Sequence, residues 1–176
     1  MSICPQSLRL DREYAQFFDC VRAQMRQNPL PAVVSGMPPV IEKAFIGAFC
    51  ADFTAEYGRG VLIFAKDDKS AISLTAYLRA CGLRAYRFSE RELNIYNITA
   101  SHENEHERLL VLSKIQSGAF DAIVTTPAAA LRYTMPREVL DANRFCYGIG
   151  DIIEPADTRA KLIGALWGVE EAEYYR

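Results

Sequence analysis

A short loop carries the residues of this chain that first suggest a chemical role. It consists of Val34-Ser35-Gly36-Met37-Pro38-Pro39-Val40 and stands between an apolar run and a long amphipathic stretch. That order of features is typical of nucleotide-binding α/β domains, in which a glycine turn before a helix holds phosphates. A working loop also needs a Lys for the β- and γ-phosphates and a Ser or Thr for Mg²⁺. If Gly36 aligns with the last-but-one glycine of G-x-x-G-x-G-K-[ST], those two positions hold Pro39 and Val40.

The side chains at these positions predict a phosphate loop that does not bind nucleotide. Neither Pro39 nor Val40 can neutralise a phosphate or hold a metal ion, and Pro38 and Pro39 lack the N–H groups of an anion nest. We therefore expect no nucleotide cofactor and no catalytic residue, and a docking or scaffold role instead of catalysis. The degenerate loop comprises Ser35, Gly36, Met37, Pro38, Pro39 and Val40.

The two histidines of the chain form the pattern H-E-x-x-H, with His102, Glu103 and His106. On a helix this spacing places two imidazoles on one face, as in zinc peptidases, where the Glu is the general base. A third ligand is also required, and the chain has no third histidine. Because the helix dipole favours acids at a helix start, we interpret the segment as an acid-rich first turn and predict no metal site.

Other polar groups lie next to predicted helices. Asp67 and Asp68 follow an apolar strand, where we expect them to cap the next helix. Thr125 and Thr126 stand at the carboxyl end of a strand, where open α/β sheets bind ligands, although a capped helix start explains them equally well. The pattern G-x-S-x-G of α/β-hydrolases does not occur. Four scattered arginines are interpreted as surface residues that favour solubility: Arg84, Arg87, Arg91 and Arg108.

The composition indicates one globular domain, or one domain plus a fragment. The chain has 176 residues, of which 50% are hydrophobic, so a sizeable core is possible and disorder is not expected. Twenty basic and 22 acidic residues give a formal charge of −2, which excludes a global basic field for nucleic acid. No apolar run approaches the ~20 residues of a membrane span, and the N-terminus lacks the pattern of a signal peptide. We expect no membrane contact and a cytoplasmic protein.

The cysteines support the same location. Their number is odd, their spacings are wide and no C-x-x-C occurs, so we expect neither a zinc site nor a disulfide framework. We interpret them as small buried hydrophobic residues in a reducing cytosol. The five cysteines are Cys4, Cys20, Cys50, Cys81 and Cys146.

Apolar runs and amphipathic stretches alternate along the chain. Strands are predicted at residues 31–35, 61–65, 83–88, 122–126 and 144–149. Helices are predicted at 8–25, 38–57, 68–81, 105–118, 128–133 and 155–167, with a short element after Pro136. The continuous apolar run Val61-Leu62-Ile63-Phe64-Ala65 predicts a central strand buried on both faces. This alternation predicts an α/β fold with an open, mostly parallel sheet and helices on both faces, similar to P-loop NTPases with a degenerate phosphate loop.

The order of several local signatures adds a family resemblance over roughly residues 28 to 150. Val34-Ser35-Gly36 before a long helix is followed by Gly60-Val61-Leu62-Ile63 before an acidic cap. The remaining signatures are Arg91-Glu92-Leu93-Asn94-Ile95-Tyr96, Glu107-Arg108-Leu109-Leu110-Val111-Leu112 and the segment 122–131 with Thr125-Thr126-Pro127-Ala128. In this order they resemble the N-terminal region of the bacterial transcription-repair coupling factor, which is similar to the excinuclease B subunit of nucleotide excision repair.

The resemblance implies a helicase-like α/β domain that has no catalysis of its own. The helicase-like domain would occupy residues 29–150 and the start of a truncated following segment residues 151–176. The N-terminal helix at 1–28 is predicted from its apolar spacing and is less clearly matched by the family. The parent protein would be an ATP-dependent DNA translocase that binds RNA polymerase, the excinuclease A subunit and double-stranded DNA, with its motor far downstream. An inserted domain that recruits the excinuclease A subunit would begin near Gly150, so we expect this chain to bind that subunit weakly or not at all.

Two other functions remain open from the sequence. The first is a helicase-like ATPase lobe that binds nucleotide or nucleic acid through an unusual loop, against which Pro39 and Val40 argue. The second is a flavodoxin-like binder of a small ligand, which rests on the predicted architecture only.

Overall fold

The computed structural model describes residues 5–26, 31–90, 103–142, 148–150, 152 and 154. The fold divides into two compact units, Met1–Arg132 and Tyr133–Arg176. The first unit contains α1 (Pro5–Leu8), α2 (Arg12–Arg26), α3 (Pro39–Tyr57), β1 (Val61–Phe64), α4 (Asp68–Ala80), β2 (Ala85–Phe88), α5 (Glu103–Ser117), β3 (Ala122–Thr125) and α6 (Pro127–Leu131). The second contains α7 (Arg137–Ala142).

Within the described ranges, three parallel strands form a sheet in the order β1-β3-β2. Val61 and Ala85 both lie beside Ala122, so the three strands start level with one another. The last of these three strands along the chain is therefore the central one, and all four of its residues are buried. The prediction of an α/β fold with an open parallel sheet is confirmed.

The prediction that residues 61–65 form the central strand is wrong. Strand β1 is an edge strand among the described residues, and Leu62 and Phe64 on one of its faces are each 56% exposed. The apolar run is compatible with burial on both faces, but a run of this kind does not encode the order of strands. Val61 and Ile63 on the other face are partly buried against the helices.

The predicted strand at 31–35 is also wrong. These residues are coil and every one of them is exposed, with Val33 at 85% exposure. Pro31 provides no N–H for a sheet ladder and the apolar part of the run is only three residues long, so little favours pairing. Most of the predicted strand at 144–149 lies outside the described residues, as does the predicted helix at 155–167; Gly148–Gly150 is not strand.

Local capping explains where the helices begin and end. The predicted helix at 8–25 is divided into α1 and α2 because the Asp11 carboxylate accepts a hydrogen bond from the Glu13 N–H at 2.7 Å and so starts a new helix. Helix α3 ends at Gly58, as predicted, with φ 63° and its N–H donating to the Thr54 carbonyl at 2.9 Å.

Helices cover both faces of the sheet. One face packs on α3 and α4 through a buried cluster of Cys50, Ala71, Leu74, Leu78, Ala85, Ala122 and Val124. The other face packs on α5 and α6 through Phe88, Val111, Ile123 and Ala129. Because side chains alternate along a strand, Ile123 faces one layer while its neighbours Ala122 and Val124 face the other.

Helix α2 packs on the outer side of α3 through aromatic rings. Neighbouring centroids lie 4.8 to 6.3 Å apart, in mostly tilted or edge-on pairs. Such pairs contribute about 0.5–1.5 kcal/mol each beyond their buried area. The rings belong to Tyr14, Phe17, Phe18, Phe45, Phe49, Phe53 and Tyr57.

Candidate functional site

The degenerate loop forms the entry to α3. Gly36 has φ 76°, a left-handed conformation that strongly favours glycine, so the chain does turn here as the motif predicts. The turn does not follow a strand of the described sheet, because residues 31–35 are coil. The Ser35 and Val40 side chains are exposed.

Backbone donors at the start of α3 are few. Pro38 and Pro39 have no N–H, and the Ile41 N–H donates to the Pro38 carbonyl at 2.9 Å. Pro38 provides no side-chain cap either. An anion at this helix start would therefore meet few of the amide groups that normally hold phosphate.

The lysine nearest to this loop in sequence does not replace the lysine of the phosphate-loop pattern. Lys43, in the first turns of α3, donates a hydrogen bond from Nζ to the Ser73 Oγ of α4 at 2.6 Å. Its charge is thus held between two helices, on the side of α4. The loop can form a turn, but it lacks the groups to neutralise phosphate or hold Mg²⁺.

The carboxyl end of the sheet holds buried polar groups. Thr126 caps α6 by accepting a hydrogen bond at Oγ1 from the Ala129 N–H at 3.2 Å, and Thr125 Oγ1 donates to the Phe88 carbonyl at 3.0 Å. Both hydroxyls therefore have partners within the protein, which confirms the capped helix start. The Ser89 hydroxyl is buried and has no hydrogen-bond partner among the residues that the structure describes.

Arg108 corrects the interpretation of the four arginines as surface residues. It is only 6% exposed, its guanidinium lies 4.0 Å from the Phe88 ring centroid, and Nη1 donates to the Ser89 carbonyl at 2.5 Å. This arrangement joins α5 to the end of β2. Nothing in the residues around Arg108 distinguishes it from a surface arginine, so the sequence gives no signal of its burial.

Two other arginines also form structural ion pairs. Arg84 binds Asp121 with 2.6 Å between Nη2 and Oδ1, and this side-chain hydrogen bond is the main reason that the pKa of Asp121 is lowered. Arg87 contacts Asp68 at 2.8 Å and Glu107 at 3.0 Å. Arg87 thus links α4, β2 and α5, while Arg84 links the starts of β2 and β3. Arg91 lies outside the described residues.

Of the acidic pair after β1, Asp67 has the predicted capping role. Asp67 Oδ1 accepts the Ser70 N–H at 2.7 Å, and this backbone hydrogen bond lowers the pKa of Asp67. Asp68 is the first residue of α4 and pairs with Arg87.

The H-E-x-x-H pattern falls partly outside the described residues. His102 lies there, Glu103 is the first residue of α5, and the His106 side chain is exposed. Among the residues that the structure describes, no group of three or more His, Cys, Asp and Glu is placed to hold a metal ion.

The cysteines differ from the prediction in part. Cys50 is fully buried, and burial raises the pKa of its thiol to about 12, so it stays protonated and unreactive. Cys20 and Cys81 are exposed. Cys20 lies on α2, and Cys81 lies at the end of α4. All three are free thiols. Cys4 and Cys146 lie outside the described residues.

A polar cleft of about 670 Å³ between α2 and α3 was not anticipated. Within it the Tyr14 hydroxyl donates to Asp52 at 2.7 Å, and Arg9 pairs with the same carboxylate at 2.6 Å. Burial, followed by the bond to Asp52, raises the pKa of Tyr14 well above its usual range. Asp52 interrupts the apolar period of α3, and that interruption is the signal from which a polar contact could have been predicted.

Of the helices within the described ranges, none has both the length and the apolar character needed to cross a lipid bilayer. Comparison with protein families, characterised proteins and solved structures gives no match for this chain.

Proposed function

We propose that this chain is a non-catalytic docking or scaffold domain of a transcription-repair coupling factor, which acts in transcription-coupled nucleotide excision repair. The observation that carries the proposal is the entry to α3. It has a left-handed turn at Gly36 before a long helix, but it has few of the cationic and amide donors that phosphate requires. An α/β domain with such a loop is suited to a supporting role and not to nucleotide chemistry.

Three polar groups at the carboxyl end of the sheet support the same proposal. The hydroxyls of Thr125 and Thr126 and the charge of Arg87 have partners inside the fold. Groups with partners of this kind hold elements together and are not available to a substrate. The described residues thus offer structural contacts where the carboxyl end of an α/β sheet usually offers a ligand site.

The surface has exposed apolar side chains that are suited to contact with a partner protein. Large apolar side chains remain exposed on several elements of the first unit, and such residues become binding sites when they lie close together. They include Leu62 and Phe64 of β1, Ile72 of α4, and Leu110 and Ile115 of α5. The partners in this proposal are the rest of the parent protein and, through it, RNA polymerase, the excinuclease A subunit and double-stranded DNA in the cytoplasm.

Isothermal titration with Mg-ATP tests the absence of nucleotide binding. We expect no saturable heat for the natural chain. The alternative function, a helicase-like lobe that binds nucleotide, predicts saturation near roughly micromolar concentration. Binding of that strength that is lost when residues 36–40 are replaced by a Gly-Ser linker would overturn the proposal.

A pull-down tests the docking role directly. The chain is immobilised and mixed with the separately produced remainder of a bacterial transcription-repair coupling factor, and retention of that remainder is expected. A chain unfolded by Val124→Asp is the control, because Val124 is fully buried in the central strand. Equal retention by the folded and unfolded chains, or none by either, contradicts the docking role.

A further inference from the structure

One edge of β1 has no partner among the described residues. The N–H groups of Val61 and Ala65 donate to carbonyls of the β3 segment at 2.9 and 2.8 Å. Because backbone groups alternate in direction along a strand, those of Leu62 and Phe64 point to the opposite edge. No described strand pairs with that edge. An open edge of this kind is a template for pairing with another strand.

The side chains beside this edge are apolar and exposed. Leu62 and Phe64 are each 56% exposed and lie on the face that α5 and α6 cover at β2 and β3. Leu62 of β1 lies beside Ile123 of β3, which is buried. The layer of helices on this face therefore ends between β3 and β1. An unpaired edge and an exposed apolar face therefore occur together on four residues.

We propose that a second copy of this chain pairs with the edge, antiparallel and about a two-fold axis at Ile63. Leu62 then lies opposite the partner's Phe64, with both residues directing N–H and C=O groups across the axis. This forms the hydrogen-bonded type of antiparallel pair and places two apolar side chains together on the exposed face. The contact is isologous and closed, and it uses Leu62 and Phe64, two of the exposed residues named above for docking.

Charge selects this register. Arg59 and Asp67 each stand four residues from Ile63, on opposite sides, and both are exposed. The register therefore places Arg59 opposite the partner's Asp67. Asp67 has extended backbone, with φ −151° and ψ 166°, and only one of its oxygens, Oδ1, is engaged by Ser70.

The neighbouring antiparallel registers lack this match. With Phe64 opposite its own copy, the residue opposite Arg59 would be the partner's Lys69, which lies in α4 and not in an extended segment. With Leu62 opposite its own copy, Arg59 faces the partner's Ala65. Antiparallel strands at the edge of an otherwise parallel sheet are common, so the pairing requires no change in the fold.

Sedimentation equilibrium over a wide range of concentration tests the association. We expect a reversible monomer–dimer equilibrium in the natural chain and a monomer in Phe64→Lys. Ile72→Lys is the matched control, because Ile72 is 50% exposed on α4 and away from the edge, and it should dimerise normally. A monomer at every concentration, or equal loss in both variants, overturns the proposal.

A second pair of variants tests the charge match. Arg59→Glu places two acids opposite one another and should raise the dimer dissociation constant severalfold. Arg12→Glu makes the same charge change at an exposed position of α2 and should leave it unaltered. If both variants behave alike, the proposed register is wrong.

Cross-linking tests the axis itself. Ile63 lies opposite its own copy in a non-hydrogen-bonded pair, where Cα atoms are ~4.5 Å apart, within the range of a disulfide. In a chain with Cys4, Cys20, Cys81 and Cys146 replaced by Ser, we expect Ile63→Cys to give a covalent dimer on mild oxidation. Leu62→Cys should not, because its opposite residue is the partner's Phe64. Equal cross-linking at both positions, or none at either, contradicts the two-fold register.

Discussion

Asp121 joins all three strands at the start of the sheet. Its carbonyl accepts the Val61 N–H of β1 at 2.9 Å, and its side chain accepts the Arg84 N–H, next to β2, at 2.7 Å. Asp121 itself leads into β3. One carboxylate and one carbonyl thus fix the level at which the strands begin, and the arginine side chain holds the carboxylate ionised.

Replacing this carboxylate should produce a pH-dependent loss of stability. We expect Asp121→Asn to cost about 1 kcal/mol near neutral pH, because a charge-assisted hydrogen bond is lost while the exposed Arg84 stays in water. The pKa of Asp121 is lowered in the folded chain, so the contribution is present above the ordinary aspartate pKa and disappears as pH falls through the lowered value. Urea unfolding of both proteins across the acidic range measures this.

The difference in unfolding free energy between the two proteins should therefore shrink on acidification. A difference that stays constant, or that grows as the pH falls, would show that Asp121 does not act through its charge.

Gly60 is a position where only glycine fits. A Cβ atom there would lie 2.3 Å from Cε2 of the Phe120 ring and 2.8 Å from the Phe120 carbonyl oxygen. We expect Gly60→Ala to destabilise the chain by about 1–3 kcal/mol, as overpacking does in a core. Denaturant midpoints measure it.

Removing the ring should relieve part of this cost. In a double-mutant cycle, Gly60→Ala should cost less in the presence of Phe120→Ala, although the carbonyl clash remains. Strict additivity of the two substitutions would contradict the clash with the ring.

Contacts between residues close in sequence were predictable, and distant ones were not. The cap by Asp67 and the helix stop at Gly58 follow from local chemistry, and both predictions are confirmed. Arg84 and Asp121 are 37 positions apart, and the burial of Arg108 depends on how α5 lies on the sheet. The ion pair and the burial of Arg108 depend on how distant elements pack together, which no local sequence pattern encodes.

At the scale of elements, strand position determines how much a buried charge costs. Val124 of the central strand is fully buried, while Phe64 of the edge strand is 56% exposed. We expect Val124→Asp to prevent folding, because burying an unpaired carboxylate costs several kcal/mol of the ~5–15 kcal/mol available to a domain. Phe64→Asp should fold and melt cooperatively. Circular dichroism and thermal melting separate the two outcomes.

The stability of Ile63→Asp should lie between those of Val124→Asp and Phe64→Asp, since Ile63 is partly buried on the helix-covered face of β1. If Phe64→Asp fails to fold while Val124→Asp melts cooperatively, the strand order described above is wrong.

The elements also show where sequence patterns are sufficient. Long amphipathic stretches predicted α3, α4 and α5 within a few residues, because helix periodicity and caps are local. The apolar runs predicted β1, β2 and β3 but not their order, and they predicted a strand at 31–35 that does not form. The phosphate-loop prediction depended on that strand, so the candidate site was identified by residue type and not by position.

At the scale of the whole molecule, the first unit has what an independent domain needs. Both sheet faces have buried clusters within residues 1–132, and α2 and α3 add an aromatic one. We expect a chain of residues 1–132 to unfold cooperatively in urea, because these clusters supply a continuous core. Amide hydrogen exchange should show β3 as the slowest segment.

A broad, non-cooperative transition for residues 1–132, or fast exchange in β3, would contradict the independence of this unit. The full chain measured under the same conditions is the reference.

The position of β3 has a consequence for synthesis on the ribosome. Strands β1 and β2 are made first but do not pair with one another, since both require β3 between them. Until residue 125 has left the exit tunnel, the nascent chain carries two strands whose backbone N–H and C=O groups have no native partner. Synthesis of β3 therefore converts a helix-rich precursor into a sheet in one late step. A ribosome that stalls before Ala122 leaves a chain suited to capture by chaperones.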